Sequence, residues 1–137
     1  MSSIATNPSP LLTISELRIA FDQRGYTSEV LHGVDLTIAS GESIGLVGES
    51  GCGKSVTWLG VLGLLGKHTR VTGSVKFKDC ELLGLSDTEL SQIRGRKIAM
   101  IFQDPSSSLN PAQRVGAQIA ESLALHRGLR GAEASAE

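Results

Sequence analysis

Alternation of apolar and polar positions predicts strands in the first half of the chain. Two stretches follow a period of two, which is typical of strands with one buried face, and a third strand is predicted over 71–78. The polar segment 22–29 between the first two stretches is predicted to be a loop. The alternating apolar residues are Leu17, Ile19 and Phe21 in the first stretch and Val34, Leu36 and Ile38 in the second.

Two short apolar runs without alternation predict further strands. The run 43–47 is typical of a strand buried on both faces, and the run 97–102 predicts another compact strand. The glycine-dense segment 48–53 follows the first run directly. The predicted order at this point is therefore a buried strand followed by a glycine loop.

Helical spacing of apolar residues and one capping pattern indicate three helices. Apolar residues recur every three or four positions over 54–66, so a helix is predicted to begin where the glycine loop ends. Ser86 and Glu89 have the spacing of a capping box, which predicts a helix that continues to about Arg94. An amphipathic helix is predicted to begin at Val115.

Composition narrows the classes of protein that fit. The chain of 137 residues carries 13 Lys and Arg against 14 Asp and Glu, so its net charge of -1 favours neither nucleic acid nor an anionic membrane. The longest apolar stretch, 56–65, is too short to span a bilayer, so membrane association is expected only through a partner. Cys52 and Cys80 form no metal-ligand pattern, which fits a reduced, cytosolic setting. We expect a flexible segment at 1–10 and a folded region at 11–137.

The segment Gly48–Ser55 matches the phosphate-loop pattern G-x-x-x-x-G-K-[ST] and stands between a predicted strand and a predicted helix. Glycines allow the backbone N–H groups to converge on phosphate oxygens, the lysine reaches the β- and γ-phosphates, and the serine hydroxyl ligates Mg²⁺. The helix N-terminus adds its positive dipole end. The predicted nucleotide-binding residues of this segment are Gly48, Glu49, Ser50, Gly51, Cys52, Gly53, Lys54, Ser55 and Val56.

A second pair of motifs, Met100–Pro105 and Ser108–Pro111, gives the phosphate loop a family context. Together the motifs resemble the ATP-binding subunits of ABC transporters that import dipeptides, oligopeptides or nickel. The resemblance runs from about Leu11 to the end of the chain and implies an α/β fold, a P-loop NTPase of ABC type. An N-terminal antiparallel β subdomain and an incomplete RecA-like core are expected within these residues.

The resemblance also implies roles for individual residues and names the cofactors, ATP and Mg²⁺. Gln103 corresponds to the Q-loop glutamine, which touches the metal or the attacking water, so Ser55 and Gln103 are the expected Mg²⁺ ligands. Phe21 corresponds to the aromatic residue that stacks on adenine. Because Phe21 also continues an apolar stripe, Tyr26 stays as the alternative.

Several family motifs do not occur in the sequence: the signature, the Walker B strand with its catalytic Glu, and the switch His. The chain therefore resembles the N-terminal part of such a subunit. One hypothesis is an ATP-hydrolysing subunit that drives peptide import, peripheral on the cytoplasmic face of the inner membrane, with permease subunits and a second ATP-binding subunit as partners. The other is a nucleotide-binding fragment without turnover. The resemblance leaves the transported substrate open.

Overall fold

The computed structural model describes residues 10–23, 25–103 and 109–136, and its main element is a four-stranded antiparallel sheet. The strand order is β2-β1-β3-β4, which confirms the antiparallel β subdomain predicted from the sequence. Apart from Pro10, the N-terminal segment expected to be flexible lies outside the described residues. The strands are β1 (Pro10–Gln23), β2 (Tyr26–Ala39), β3 (Thr69–Phe77) and β4 (Cys80–Glu81).

The first two strands form a long hairpin, so the loop predicted over 22–29 is wrong. β1 continues to Gln23 and β2 begins at Tyr26, with these two residues paired at the hairpin end. Polar side chains do not end a strand that has a partner, because the backbone hydrogen bonds of an antiparallel pair do not depend on them. The Thr27 hydroxyl donates to Asp22 Oδ1 at 2.5 Å and links the two strands within the predicted loop.

A β-bulge lets β1 keep one apolar face along its whole length. Glu16 has a φ of +48°, and its N–H donates to Asp35 Oδ1 at 2.8 Å. The extra residue restores the alternation on both sides of the bulge. Gly73 of β3 faces this point with a φ of +109°. The buried residues of β1 are Leu12, Ile14, Leu17 and Ile19, so the core stripe begins earlier than the sequence pattern predicts.

One short helix, α1 (Lys54–Val61), packs on the sheet through a glycine. A Cβ at Gly60 would lie 2.6 Å from Cδ1 of Ile19, a fully buried residue of β1. The helix begins at the predicted residue but ends at Val61, short of the predicted 66. Leu62 follows it as the C-cap and is buried.

The described residues form two compact units, one up to Leu90 and one from Ser91 onward. The helix α2 (Asp87–Ser91) confirms the capping box at its start, since Ser86 N–H donates to Glu89 Oε2 at 2.8 Å and Glu89 N–H to Ser86 Oγ at 3.3 Å. It ends before Arg94. None of the helices in the described ranges is both long and apolar enough to cross a bilayer.

The second unit contains a helix at the position predicted from the sequence. α3 (Val115–Arg127) begins at the predicted residue, and α4 (Ala132–Ala136) follows it. None of the described residues of α3 is buried, and Ile119 is 56% exposed. Arg96 Nη2 donates to the carbonyl oxygen of His126 at 3.0 Å, which anchors the last turn of α3 within its own unit.

The two short apolar runs do not form the predicted strands. Residues 43–47 have no regular secondary structure, and Val47 is 95% exposed. In the run 97–102, only Ile98 forms a bridge, with Arg94, and Ile101 is 96% exposed. A strand of a parallel sheet needs hydrogen-bonding partners on its edges, and no partner strand pairs with either run within the described ranges. An apolar composition alone does not supply these hydrogen-bonding partners.

We expect Gly73→Ala to destabilise the fold strongly. A Cβ at this position would lie 2.5 Å from the carbonyl oxygen of Glu16 and 2.7 Å from that of Ser15, both backbone atoms of the bulge. The clash and the unfavourable φ together should cost about 2 to 4 kcal/mol of the free energy of unfolding. Urea denaturation followed by circular dichroism measures the loss.

Gly41→Ala is the matched control for this substitution. Gly41 has a φ of +78°, but a Cβ there would meet no atom within 4 Å. Gly41→Ala should therefore lower the free energy of unfolding only by the cost of a left-handed backbone at alanine, about 1 kcal/mol. Equal losses in the two variants would show that the contact between Gly73 and the bulge carries no energy.

Candidate nucleotide-binding site

The phosphate-loop segment curls at two of its three glycines. Gly51 and Gly53 have φ values of +84° and +96°, in the left-handed region that glycine tolerates. Gly48 has no such φ. Because Gly48 has no Cβ, the Cys52 side chain can approach it closely: a Cβ there would lie 2.6 Å from Cys52 Sγ. The loop is therefore compact, with its first and fifth residues nearly touching.

The loop rests on the sheet at its last glycine. A Cβ at Gly53 would lie 3.0 Å from Cδ1 of Leu31, a buried residue of β2. Gly53 is also the N-cap of α1, and its carbonyl oxygen accepts from Thr57 N–H at 2.8 Å and from the Thr57 hydroxyl at 2.9 Å. The sequence analysis missed Leu31, because its contact with the loop depends on how the helix packs on β2.

The N-terminus of α1 has the electrostatics of an anion site. Within the described chain, no side chain caps it and its first turn holds no acidic residue. The unpaired N–H groups and the helix dipole leave partial positive charge at the loop. Such an end attracts phosphate.

Lys54 places its ammonium group over the loop. Nζ donates to the carbonyl oxygens of Gly48 and Glu49, each at 2.6 Å, and lies 3.3 Å from Cys52 Sγ. The side chain of the first helical residue thus turns back toward the start of the segment. The ammonium group therefore lies beside the carbonyl oxygens of the first two loop residues.

The remaining predicted residues of the segment differ in exposure. Ser50 and Ser55 are exposed, and Val56 is half-buried. The Ser55 hydroxyl lies on the first turn of α1, next to Lys54 in the chain. Its exposure leaves it accessible to a cation held by phosphate oxygens.

Cys52 is chemically distinct within the loop. Its thiol is exposed, and the hydrogen bond with the Lys54 ammonium lowers the pKa of the thiol below its ordinary value. A nearby cation favours the thiolate, which is the reactive form. The contact with Lys54 therefore favours the reactive form of Cys52.

Phe21 lies near the end of β1, on the sheet face that α1 covers. Ile19 contacts α1 at Gly60, and Phe21 follows two residues later, so both side chains belong to one face. Phe21 is half-buried and lines an open cavity, whereas Tyr26 is 73% exposed across the hairpin. The structure thus gives Phe21 a concave setting that Tyr26 does not share.

Gln103 lies in the second compact unit and is exposed. It is the last described residue before 104–108, so the part of the two motifs that falls there lies outside the described residues. Asn110, from the second motif, is tied to α3: its N–H donates to Gln118 Oε1 and its carbonyl oxygen accepts from Gln118 Nε2, both at 3.0 Å. The sequence analysis did not single out Gln118.

Comparison with known proteins decides the family. A family model described as ABC transporter matches residues 31–136, which is more than half of the chain. The chain belongs to the ABC transporter family. This confirms the resemblance given by the phosphate loop and the second pair of motifs. Domains of this family bind ATP, so nucleotide binding is the chemistry against which the loop should be judged.

Named ABC relatives cover nearly the whole chain. An oligopeptide transport ATP-binding protein of Salmonella typhimurium is 43% identical over 141 residues, which is 100% of this chain and 42% of that protein. A Brucella melitensis protein named for peptide import and ATP binding is 46% identical over 133 residues, 96% of this chain and 40% of its own length. The chain spans about two fifths of the length of these relatives.

We expect Cys52 to react with iodoacetamide faster than Cys80 at neutral pH, because Lys54 stabilises its thiolate. Lys54→Met should raise the pKa of the Cys52 thiol and slow its alkylation, with the largest effect on the acid side of neutrality. Mass spectrometry of time-resolved alkylation measures both sites in one sample. The exposed Cys80 serves as the internal reference. Unchanged Cys52 reactivity in Lys54→Met would contradict the contact.

Proposed function

We propose that residues 11–137 form the N-terminal portion of an ABC nucleotide-binding domain and bind ATP with Mg²⁺ at Gly48–Val56. The observation that carries this proposal is the position of the Lys54 ammonium, 2.6 Å from two loop carbonyl oxygens beside an uncapped helix N-terminus. A lysine charge and converging backbone N–H groups are the two parts that β- and γ-phosphates require. When ATP binds, Lys54 exchanges its carbonyl partners for phosphate oxygens.

We propose Ser55 as an Mg²⁺ ligand, and the same role for Gln103 rests on the family resemblance alone. Hydroxyl and amide oxygens are hard ligands that suit this cation, and both side chains are exposed. Bound Mg²⁺ would neutralise charge on the phosphate oxygens. Ser55 follows Lys54 directly, which supports a cation site next to the phosphate site.

We assign the adenine-stacking role to Phe21. The support is its half-buried ring, which lines a cavity on the α1 face of the sheet. A ring partly held by its own neighbours presents a fixed apolar surface, and such surfaces stack well on bases. Tyr26, at 73% exposure, is the alternative.

The role that we propose for the whole protein is that of an ATP-binding subunit in a peptide importer. The names of the relatives, which refer to peptide import and oligopeptide transport, support this role. Its partners would be transmembrane permease subunits and a second ATP-binding subunit. Its place would be peripheral, on the cytoplasmic face of the inner membrane.

A second candidate function concerns the 137 residues taken by themselves: nucleotide binding without turnover. The sequence contains no signature, no Walker B strand with its catalytic Glu and no switch His. The groups that orient water and stabilise the developing charge are therefore not among these residues.

Lys54→Ala should weaken ATP binding by at least roughly tenfold, since hydrogen bonds to charged phosphate oxygens would be lost. Titration with a fluorescent ATP analogue measures the affinity. Lys97→Ala removes the same charge from an exposed site in the second unit and should leave affinity unchanged. Equal affinity of the wild-type and Lys54→Ala chains would contradict the phosphate-site assignment.

Phe21→Ala should lower the affinity for ATP by the equivalent of about 1 to 3 kcal/mol, the usual worth of stacking between a base and an aromatic ring. Tyr26→Ala should have no effect in the same titration. A loss confined to Tyr26→Ala would reverse the assignment.

Phosphate release by the 137-residue chain should stay close to background, because missing catalytic groups each cost about two orders of magnitude or more in rate. Mixing with a full-length ABC partner should not restore it. The malachite-green assay measures release, with Lys54→Ala as the blank. Robust hydrolysis that depends on Lys54 would contradict the second candidate function.

A further inference from the structure

An open cavity lies beside Phe21 at the hairpin end of the sheet. It has a volume of about 480 Å³ and is lined by Phe21, Asp22, Gln23 and His68. Asp22 N–H donates to the carbonyl oxygen of His68 at 2.8 Å, so the loop between α1 and β3 is tied to the end of β1. The backbone therefore fixes two walls of the cavity relative to each other.

The polar side chains that line the cavity differ in whether they already have hydrogen-bond or ion-pair partners. The Asp22 carboxylate accepts from the Thr27 hydroxyl at 2.5 Å and lies 3.6 Å from Arg70 Nη2, so its charge is compensated. The side chains of Gln23 and His68 are exposed and make no hydrogen bond with the rest of the described chain. These two side chains are available to a ligand.

Gln23 has the position and the chemistry to contact the edge of a base. It follows Phe21 by two residues on β1, so both side chains point to the same side of the sheet. A purine stacked on Phe21 would extend toward Gln23. A glutamine amide offers one donor and one acceptor, which match N7 and the N6 amino group of adenine. Guanine presents an acceptor in place of that amino group and cannot form the same pair.

We propose that Gln23 and His68 complete a nucleoside subsite on Phe21 in which Gln23 selects adenine over guanine. This inference rests on the proposed ATP-binding function and extends it to the choice of base. His68 contacts the nucleoside from the adjoining loop, where its imidazole can donate to or accept from a ring nitrogen or a ribose hydroxyl. The contacts of Asp22 with Thr27 and Arg70 offset part of the carboxylate charge beside the subsite.

The test compares ATP, GTP and inorganic tripolyphosphate as ligands of the 137-residue chain. Gln23→Ala should weaken ATP binding by roughly fivefold to tenfold, reduce the preference for ATP over GTP, and leave tripolyphosphate binding unchanged. His68→Ala should weaken ATP binding and also leave tripolyphosphate unchanged. Gln92→Ala, at an exposed position of the second unit, is the matched control and should change nothing.

Tripolyphosphate has no base, so its binding tests the phosphate site separately from the nucleoside subsite. If the wild-type chain binds tripolyphosphate and all variants bind ATP with equal affinity, the nucleoside subsite is wrong and the phosphate site stands. Equal losses for ATP and tripolyphosphate would mark a general structural effect and overturn the subsite as well. Equal losses for ATP and GTP would overturn the selection of adenine. If the wild-type chain binds neither ligand, both proposals fail.

Discussion

The close approach of α1 to the sheet is the constraint on which the site depends. Two glycines make the contact: Gly53 lies against Leu31 of β2, and Gly60 lies against Ile19 of β1. Ile19 and Leu31 are themselves cross-strand partners, so both contacts are made to one pair. A Cβ at either glycine would press on a terminal methyl group of this pair, and the phosphate loop is attached to α1. The antiparallel sheet thus determines where the phosphate loop lies.

Features decided by near neighbours in the chain can be predicted from the sequence. The start of α1 at Lys54, the capping box of Ser86 and Glu89, and the start of α3 at Val115 all follow from residues within one or two turns. The phosphate loop belongs to this class, because glycine positions and a lysine define it locally. Its glycines at 51 and 53 adopt the left-handed backbone that this residue type tolerates.

Features decided by distant partners could not be predicted in the same way. The run 43–47 is apolar enough for a buried strand, yet without a neighbouring strand it leaves Val47 exposed. The polar hairpin end shows the opposite case, because pairing of Gln23 with Tyr26 makes a strand where composition indicates a loop. The contact of Leu31 with Gly53 has no signal in the sequence, since it depends on how α1 packs. In each case a nonlocal partner, or its absence from the described residues, determines the result.

In the proposed ATP site, the long hairpin would let a single sheet contact two chemically different ends of one ligand. The phosphate loop meets the sheet at Leu31, whereas Phe21 and Gln23 lie further along β1 toward the hairpin end. Because β1 is continuous from Ile19 to Gln23, the spacing between the two ends is set by the rise of a strand and not by loop conformations. On the hairpin side of the bulge at Glu16, the pairing of β1 with β3 keeps one register from Arg18 to Phe21. A stiff strand is thus the physical basis on which the proposed site would hold base and phosphates at a fixed separation.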